Sequence, residues 1–177
     1  MNVKRGAVVW LTGLSGSGKT TVAHALADEL TRAGHLAYVL DGDRLRDGLN
    51  AGLGFSPEDR AENIRRAGEV AALFADAGVI AIAAFISPYR AGRDGARRAA
   101  GSDRFFEIFI DTPIEECERR DAKGLYRRAR AGEIADFTGV SAPYEPPLAP
   151  DLHLRGGSVE ESVDRIAALL AERGVIA

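Results

Sequence analysis

The sequence predicts an α/β fold built around a parallel sheet, because short apolar runs alternate with longer helical patterns. Five apolar runs indicate strands, at residues 7–12, 36–40, 79–85, 105–110 and 152–154. Five helix patterns lie between or after them, near residues 18–33, 57–77, 89–100, 113–120 and 158–173. Most of the apolar runs are continuous, as in strands buried on both faces. We therefore expect a central, mostly parallel five-stranded sheet with helices on both sides.

Small residues mark the ends of several predicted helices. Gly34, Gly78 and Gly174 fall where C-terminal caps belong, and Ser56 and Pro57 open the second pattern as cap and first helical residue. The length of 177 residues predicts that residues 1–177 form one domain. Ligands of parallel α/β sheets gather at the carboxyl ends of the strands, so the loops that follow the strands hold the candidate site residues.

The overall composition limits the classes of function. With 23 Lys and Arg against 26 Asp and Glu, the formal net charge is −3, and we expect no nucleic-acid partner. The single cysteine, Cys117, excludes an internal disulfide framework and a multi-cysteine zinc site. No signal peptide is visible and no apolar run reaches ~18 residues, so we expect a cytoplasmic protein without a membrane partner. His24, His35 and His153 have no ligand spacing and are interpreted as structural or surface residues.

The stretch GLSGSGKT, Gly13 to Thr20, matches G-x-x-x-x-G-K-[ST] between a predicted strand and a predicted helix. Glycines let the backbone curl so that its N–H groups point at phosphate oxygens. Lys19 would reach the β and γ phosphates, and the Thr20 hydroxyl would ligate Mg²⁺ directly. The ATP-binding candidates are Gly13, Ser15, Gly16, Ser17, Gly18, Lys19, Thr20 and Thr21. The motif alone leaves a GTPase, an ATPase and a small-molecule kinase open.

Two acids separated by a glycine, Asp41 and Asp43, follow the second strand. At that end of the sheet one carboxylate can support the magnesium through water. The other can accept a proton from an attacking hydroxyl. The alternative is a turn that simply favours Asp and Gly. Arg46, three residues further on, could bind a second anion that belongs to the acceptor.

The stretch LGFSPEDRAENIRR indicates an acceptor site. Arg60 and Asn63 are three apart on a predicted helix and therefore share a face. Together with the ring of Phe55 they suit a nucleotide-like acceptor with an anionic group. On spacing alone, Phe55 could equally belong to the core.

Other residues near this stretch carry two interpretations. Arg65 and Arg66 could bind the acceptor, or could pair with Glu69 and Glu62 respectively on a solvated face. Ser87, after the third strand, could line the cleft or could only cap the next helix.

A lid is predicted over approximately residues 121–147. The segment is basic at first and then carries Gly132, Phe137 and Gly139. A mobile flap with arginines over a phosphate site excludes water and stabilises the transferred charge. The alternative is an exposed basic helix followed by a loop.

Taken together, these segments resemble the adenylylsulfate kinases, also called APS kinases, over about residues 6–173. The resemblance is carried by GLSGSGKT, LDGDRLRDGLN, LGFSPEDRAENIRR, FISPYR, DTPIEECERRDAKGLYRRARAGEIADFTGV and PYE. It implies a P-loop nucleotide kinase-like three-layer sandwich, with a lid. It also implies that MgATP and adenosine 5'-phosphosulfate (APS) are converted to ADP and 3'-phosphoadenosine 5'-phosphosulfate (PAPS). Such a kinase is commonly a homodimer, and a separate ATP sulfurylase would supply APS for sulfate activation.

The resemblance also implies roles for single residues. Gly16 to Thr20 hold the ATP phosphates and Mg²⁺, while Asp43 engages the 3'-hydroxyl with Asp41 in support. The residues implied to bind APS are Asp43, Arg46, Phe55, Arg60, Asn63, Ile86, Ser87, Lys123 and Phe137. Phe55 and Phe137 would sandwich the adenine. Ser87 matches a position described in the family as a phosphoserine, but transfer from a loop-held ATP needs no covalent step.

The sequence departs from the family's pattern at Asp47 and at residues 83–85, neither of which carries an assigned role. Two rivals remain. One is a kinase for gluconate, shikimate or a nucleoside monophosphate, against which the KGLYRRARAGEI segment argues. The other is a nucleotide-binding regulatory module, against which Lys19, Thr20, Asp41 and Asp43 argue. An NKxD-type base-reading segment, typical of GTPases, is missing from the sequence.

Overall fold

One sheet of five strands forms the centre of the fold. The computed structural model describes residues 5–177; residues 1–4, which the single-domain prediction includes, lie outside this range. The strands are β1 (Ala7–Thr12), β2 (Ala37–Asp41), β3 (Ile80–Ala84), β4 (Phe105–Ile110) and β5 (Leu152–Leu154). Their order across the sheet is β2-β3-β1-β4-β5, and every neighbouring pair is parallel. The predicted α/β sheet is thus confirmed.

Seven helices occur within residues 5–177. They are α1 (Lys19–Arg32), α2 (Gly42–Asp47), α3 (Pro57–Asp76), α4 (Arg90–Ala100), α5 (Ile114–Arg120), α6 (Leu125–Arg130) and α7 (Val159–Glu172). None of the helices in this part of the chain is long and apolar enough to cross a membrane.

The two faces of β1 define two cores, because successive side chains of a strand point to opposite faces. Val9 and Leu11 belong to a cluster with Leu26 of α1 and Ile166 of α7. Fully burying an aliphatic side chain such as Leu26 contributes about 1.5–3 kcal/mol. Trp10 belongs to the opposite cluster, which contains the alanine-rich faces of α3 and α4. The molecule therefore has three layers, α1 and α7 on one side of the sheet and α3 and α4 on the other.

The predicted helix ends are confirmed where capping residues mark them. The Ser56 hydroxyl accepts a hydrogen bond from the backbone N–H of Asp59 at 3.1 Å, and Pro57 is the first residue of α3. Gly34 and Gly78 have φ of 80° and 82°, the left-handed conformation that closes a helix with little strain when the residue is glycine.

Two short helices, α2 and α6, differ from the main predictions: α2 was not predicted, and α6 was expected only as the basic-helix alternative to a lid. Each has six residues, fewer than two turns, so neither shows a hydrophobic periodicity. Helix α2 begins because the Asp41 carboxylate accepts hydrogen bonds from the backbone N–H groups of Asp43 and Arg44. Smaller differences of one or two residues occur at strand ends, as β2 begins at Ala37 and β3 ends at Ala84.

Candidate active site

The phosphate loop connects β1 to α1 at the carboxyl edge of the sheet. Gly16 and Gly18 adopt positive φ values of 75° and 103°, which other L residues adopt only with strain. Gly18 also precedes the first residue of α1, so the positive end of that helix faces the space that the loop encloses. The local conformation is therefore that of an anion-binding loop.

Lys19 lies under this loop and is only 8% exposed. Its Nζ donates hydrogen bonds to the carbonyl oxygens of Gly13 and Leu14, at 2.9 and 2.7 Å. Burial lowers the pKa of Lys19 to about 8, although the charges of Asp41 and Asp43 act in the opposite direction. The protonation of Lys19 therefore depends strongly on the charged groups beside it.

Thr20 and Asp41 are brought together as the sequence predicts for a metal site. The Thr20 hydroxyl donates to Asp41 Oδ2 at 3.1 Å. The other oxygen of Asp41 accepts from the backbone N–H of Asp43 at 2.9 Å. Asp41 therefore shapes the local turn and also lies beside the Thr20 hydroxyl. A hydroxyl beside a carboxylate is the oxygen donor set that Mg²⁺ takes when substrate phosphates supply further ligands. Within residues 5–177, no group of three or more His, Cys, Asp and Glu side chains could hold a metal.

Asp43 is exposed and forms an ion pair with Lys123, which lies 80 residues away in the predicted lid. The contact connects the end of β2 to the segment between α5 and α6. A carboxylate here is accessible to a hydroxyl acceptor, and a lysine beside it can neutralise charge on a bound anion.

Arg46 and Phe55 lie together on the acceptor side of the site. The Arg46 guanidinium is 4.3 Å from the centroid of the Phe55 ring and donates to the carbonyl oxygen of Gly54 at 3.0 Å. Burial, followed by the charge of Arg60, lowers the pKa of Arg46. Phe55 is 63% exposed, so the core interpretation of this residue is wrong. An exposed ring beside the Arg46 guanidinium is a suitable surface for an anionic aromatic ligand.

Arg60 connects α3 to the lid. Its guanidinium donates to the Thr138 hydroxyl at 3.1 Å and to the carbonyl oxygen of Asp136. Asn63, one turn later, is buried, and its amide oxygen accepts from Asn50 Nδ2 at 2.9 Å. Arg60 therefore contacts the predicted lid, whereas Asn63 is buried against Asn50.

Arg65 and Arg66 share one partner, Glu62. Arg65 Nε lies 2.7 Å and Arg66 Nε 2.8 Å from the two carboxylate oxygens. These hydrogen bonds lower the pKa of Glu62 to about 2. The pairing of Arg66 with Glu62 is confirmed. Arg65 also contacts Glu62 directly, and the charge of Glu69 interacts with Arg65 without forming an ion pair.

The segment predicted as a lid contains the exposed basic helix of the alternative interpretation, and a mobile flap stays a prediction. Helix α6 carries exposed arginines, as the basic-helix interpretation states, and pairs one of them, Arg130, with Glu118. Further along, the half-buried Phe137 ring meets the Tyr126 ring edge-on, with centroids 5.1 Å apart. Part of this segment packs against the phosphate loop, since the Tyr126 hydroxyl donates to the carbonyl oxygen of Ser15 at 2.7 Å.

Ser87 is 2% exposed and has φ of 43°. Its hydroxyl accepts from Trp10 Nε1 at 3.1 Å and donates to the Thr12 hydroxyl at 3.0 Å. The carbonyl oxygen of Ile86 accepts from the same Thr12 hydroxyl at 2.7 Å. The helix-cap alternative for Ser87 is wrong, since Tyr89 occupies the cap of α4. The Ser87 side chain therefore points into the protein.

The segment around Ser87 is supported by a buried arginine, which was not singled out from the sequence. Arg93 donates to Glu107 Oε1 at 2.7 Å, to the carbonyl oxygen of Ser87 at 2.6 Å and to that of Glu145 at 2.7 Å. One signal was available in the sequence: Glu107 is the only charged residue in the apolar strand FFEIFI, and a buried charge needs a partner.

Comparisons with known proteins agree with this geometry. The family model for adenylylsulphate kinase matches residues 5–155. An adenylyl-sulfate kinase of Enterobacter sp. (strain 638) is 54% identical over 173 residues, covering 97% of this chain and 86% of the relative. One of Staphylococcus epidermidis is 51% identical over 177 residues, covering 99% and 89%.

A solved structure is similar over nearly the same length. It is that of the APS kinase of Mycobacterium tuberculosis in complex with AMPPNP and APS. It is 52% identical, has a TM-score of 0.91, and the match covers 94% of this chain and 98% of that one.

Proposed function

The chain belongs to the adenylylsulphate kinase family, and on this premise we propose that it transfers the γ-phosphoryl group of MgATP to the 3'-hydroxyl of APS, giving PAPS and ADP. The observation that carries the proposal is the junction of the phosphate loop with the end of β2. There the Thr20 hydroxyl of the phosphate loop donates to Asp41, and the exposed Asp43 carboxylate, paired with Lys123, follows two residues later. A kinase that uses an alcohol acceptor needs these two elements in contact.

On the donor side, the backbone N–H groups of the phosphate loop would bind the ATP phosphates. The residues assigned to this role are Gly13, Ser15, Gly16, Ser17, Gly18, Lys19, Thr20 and Thr21. Lys19 would move from the loop carbonyls to the β and γ phosphates. Thr20 would ligate Mg²⁺ directly and Asp41 through water. The metal supplies charge neutralisation at the β and γ phosphates.

On the acceptor side, the exposed Phe55 and the half-buried Phe137 would stack on the two faces of the APS adenine. Arg46 and Arg60 would bind the phosphosulfate, since guanidinium groups pair well with such anions. Asn63, whose amide oxygen is already bonded to Asn50, would present its amide N–H₂ group. The backbone of Ile86 and Ser87 and the ammonium of Lys123 would complete the pocket.

The transfer step is direct. The 3'-oxygen of APS attacks the γ-phosphorus, its proton passes to Asp43, and the β–γ bridging oxygen leaves with its electron pair on ADP. For this step Lys123 would break its ion pair with Asp43 and bind the anionic group of the acceptor instead. A phosphoserine at Ser87 is not part of the proposal, because that hydroxyl is buried and bonded to Trp10 and Thr12.

Several wider properties belong to the same proposal. Residues 1–177 form a single P-loop kinase domain that works as a homodimer in the cytoplasm, in sulfate assimilation. A separate ATP sulfurylase supplies APS. Sedimentation of the purified protein, with the mass compared with one and two chains, tests the dimer.

The experiment that tests the proposed function is a coupled assay of ADP release from MgATP. APS is compared with AMP, shikimate and gluconate as acceptors. We expect release with APS alone. ADP release with another acceptor would show that the protein is a kinase but that APS is not its substrate. Binding of ATP without release for any acceptor would instead favour a regulatory module.

A further inference from the structure

Three consecutive carbonyl oxygens on the outside of the phosphate loop are held by side chains from residues 112–126. The Tyr126 hydroxyl donates to the oxygen of Ser15 at 2.7 Å. Arg120 donates to the oxygen of Gly16 at 3.2 Å. The Thr112 hydroxyl donates to the oxygen of Ser17 at 2.9 Å. We refer to Thr112, Arg120 and Tyr126 as the carbonyl clamp.

The carbonyl clamp acts on the phosphate-binding N–H groups through the planarity of the peptide. Each C=O and the N–H of the next residue lie in one rigid plane and point in opposite directions. A donor that holds the Ser15 oxygen outward therefore sets the direction of the Gly16 N–H. By the same argument, Thr112 sets the direction of the Gly18 N–H. The clamp fixes the loop in the orientation that an anion requires.

Tyr126 differs from the other two clamp residues because it also contacts the acceptor side. It is 3% exposed, and its ring meets that of Phe137 at 77° with centroids 5.1 Å apart. Its backbone N–H donates to Asp121 Oδ1 at 3.0 Å, which fixes the start of α6. Burial raises the pKa of Tyr126, so the phenol keeps its proton and remains a donor.

One side chain thus connects the backbone under the ATP phosphates to the ring that stacks on the acceptor. We propose that Tyr126 is a positioning residue that couples the two substrate sites, its hydroxyl orienting the Ser15–Gly16 peptide and its ring supporting Phe137. This inference rests on the proposed function, since it takes Phe137 as part of the APS site. Phosphates that bind the oriented N–H groups would stabilise the loop together with its Tyr126 contact, and Phe137 with it, so each substrate raises the affinity for the other.

The test compares Tyr126→Phe with Thr112→Val in the full chain. Both variants remove one hydroxyl donor to a phosphate-loop carbonyl with little change of shape. Only the first lies on the residue that touches Phe137. Calorimetry measures the affinity for AMPPNP, for APS, and for APS in the presence of saturating AMPPNP. The ratio of the two APS affinities is the coupling factor.

We expect the wild-type coupling factor to be about fivefold or more. Both variants should bind AMPPNP about three- to tenfold more weakly, the effect of one lost hydrogen bond. Tyr126→Phe should reduce the coupling factor to about one, while its affinity for APS alone stays within about twofold of wild type. Thr112→Val should keep the wild-type coupling factor. Tyr126→Leu, which also removes the ring, should in addition weaken the binding of APS alone.

A coupling factor in Tyr126→Phe equal to that of the wild type, or a wild-type factor of one, would overturn the inference. So would equal loss of coupling in Thr112→Val, because the effect would then belong to the loop and not to Tyr126. A wild type that transfers phosphate to APS but shows one of these results refutes only the coupling. A wild type that neither binds nor phosphorylates APS refutes the proposed function, and the coupling with it.

Discussion

We expect the affinity of this enzyme for ATP to fall steeply as the pH rises above 8. Burial lowers the pKa of Lys19 to about 8 in the free protein. The triphosphate would surround the same ammonium with negative charge and raise its pKa well above that value. Binding above pH 8 therefore requires the uptake of a proton. The favourable interaction is complete below pH 8 and is lost progressively at higher pH.

The magnitude follows from the fraction of Lys19 that is already protonated. At pH 9, one unit above its pKa, about one molecule in eleven carries the charge, so the affinity should fall about tenfold relative to pH 7, or about 1.4 kcal/mol.

Calorimetry of AMPPNP binding between pH 7 and 9, in buffers of different ionisation enthalpy, counts the protons directly. We expect close to one proton taken up per nucleotide at pH 9 and almost none at pH 7. Lys19→Arg is the control, since an arginine cannot lose its proton and its remaining affinity should not change with pH. A pH-independent affinity of the wild type, with no proton uptake, would refute the reasoning.

Three substitutions address the roles of other site residues. Asp43→Asn should reduce turnover by about 100-fold or more while AMPPNP affinity stays unchanged. Turnover near the wild-type rate would contradict the assignment of Asp43 as the proton acceptor. Phe137→Ala should weaken APS binding by roughly 1–3 kcal/mol and AMPPNP binding by less; equal losses in titrations of both ligands would mean that the lid had collapsed. Ser87→Ala should lower the free energy of unfolding by about 1–3 kcal/mol, because the Trp10 N–H loses its acceptor, yet keep turnover within about tenfold; complete loss of ADP release would support a phosphoserine.

The strands and the phosphate loop could be predicted because their signals are local. A strand buried on both faces requires consecutive apolar residues, and the loop requires its glycines within eight positions. Helix α2 could not be predicted in this way, because it depends on a cap supplied by Asp41. Helix α6 was expected only as the alternative to a lid, because its six residues are too few to show a hydrophobic periodicity.

The contacts between distant residues could not be predicted. Glu107 was visible as a lone acid in an apolar strand, but its partner Arg93 follows only from how α4 packs on β4. The choice of Glu62 over Glu69 by Arg65 depends on side-chain rotamers, since both acids are at allowed spacings. The carbonyl clamp could not be predicted either. The partner of Tyr126 is a backbone oxygen, which every residue carries, so the sequence does not indicate that Tyr126 contacts the phosphate loop.

The far end of the lid is held by the interior of the protein, and this affects how the lid can open. The Glu145 N–H donates to the Pro88 carbonyl oxygen at 2.8 Å, and Arg93 binds the Glu145 carbonyl oxygen. This end can therefore be released only when the packing around Arg93 is lost, which coincides with global unfolding. Residues 132–137 are attached instead through the contact of Arg60 with Asp136 and that of Phe137 with Tyr126, so we expect their amide protons to exchange through a local opening of lower free energy. The predicted lid should thus open many times between successive unfolding events. Substrates can then enter without unfolding of the sheet, and a very stable sheet is compatible with turnover.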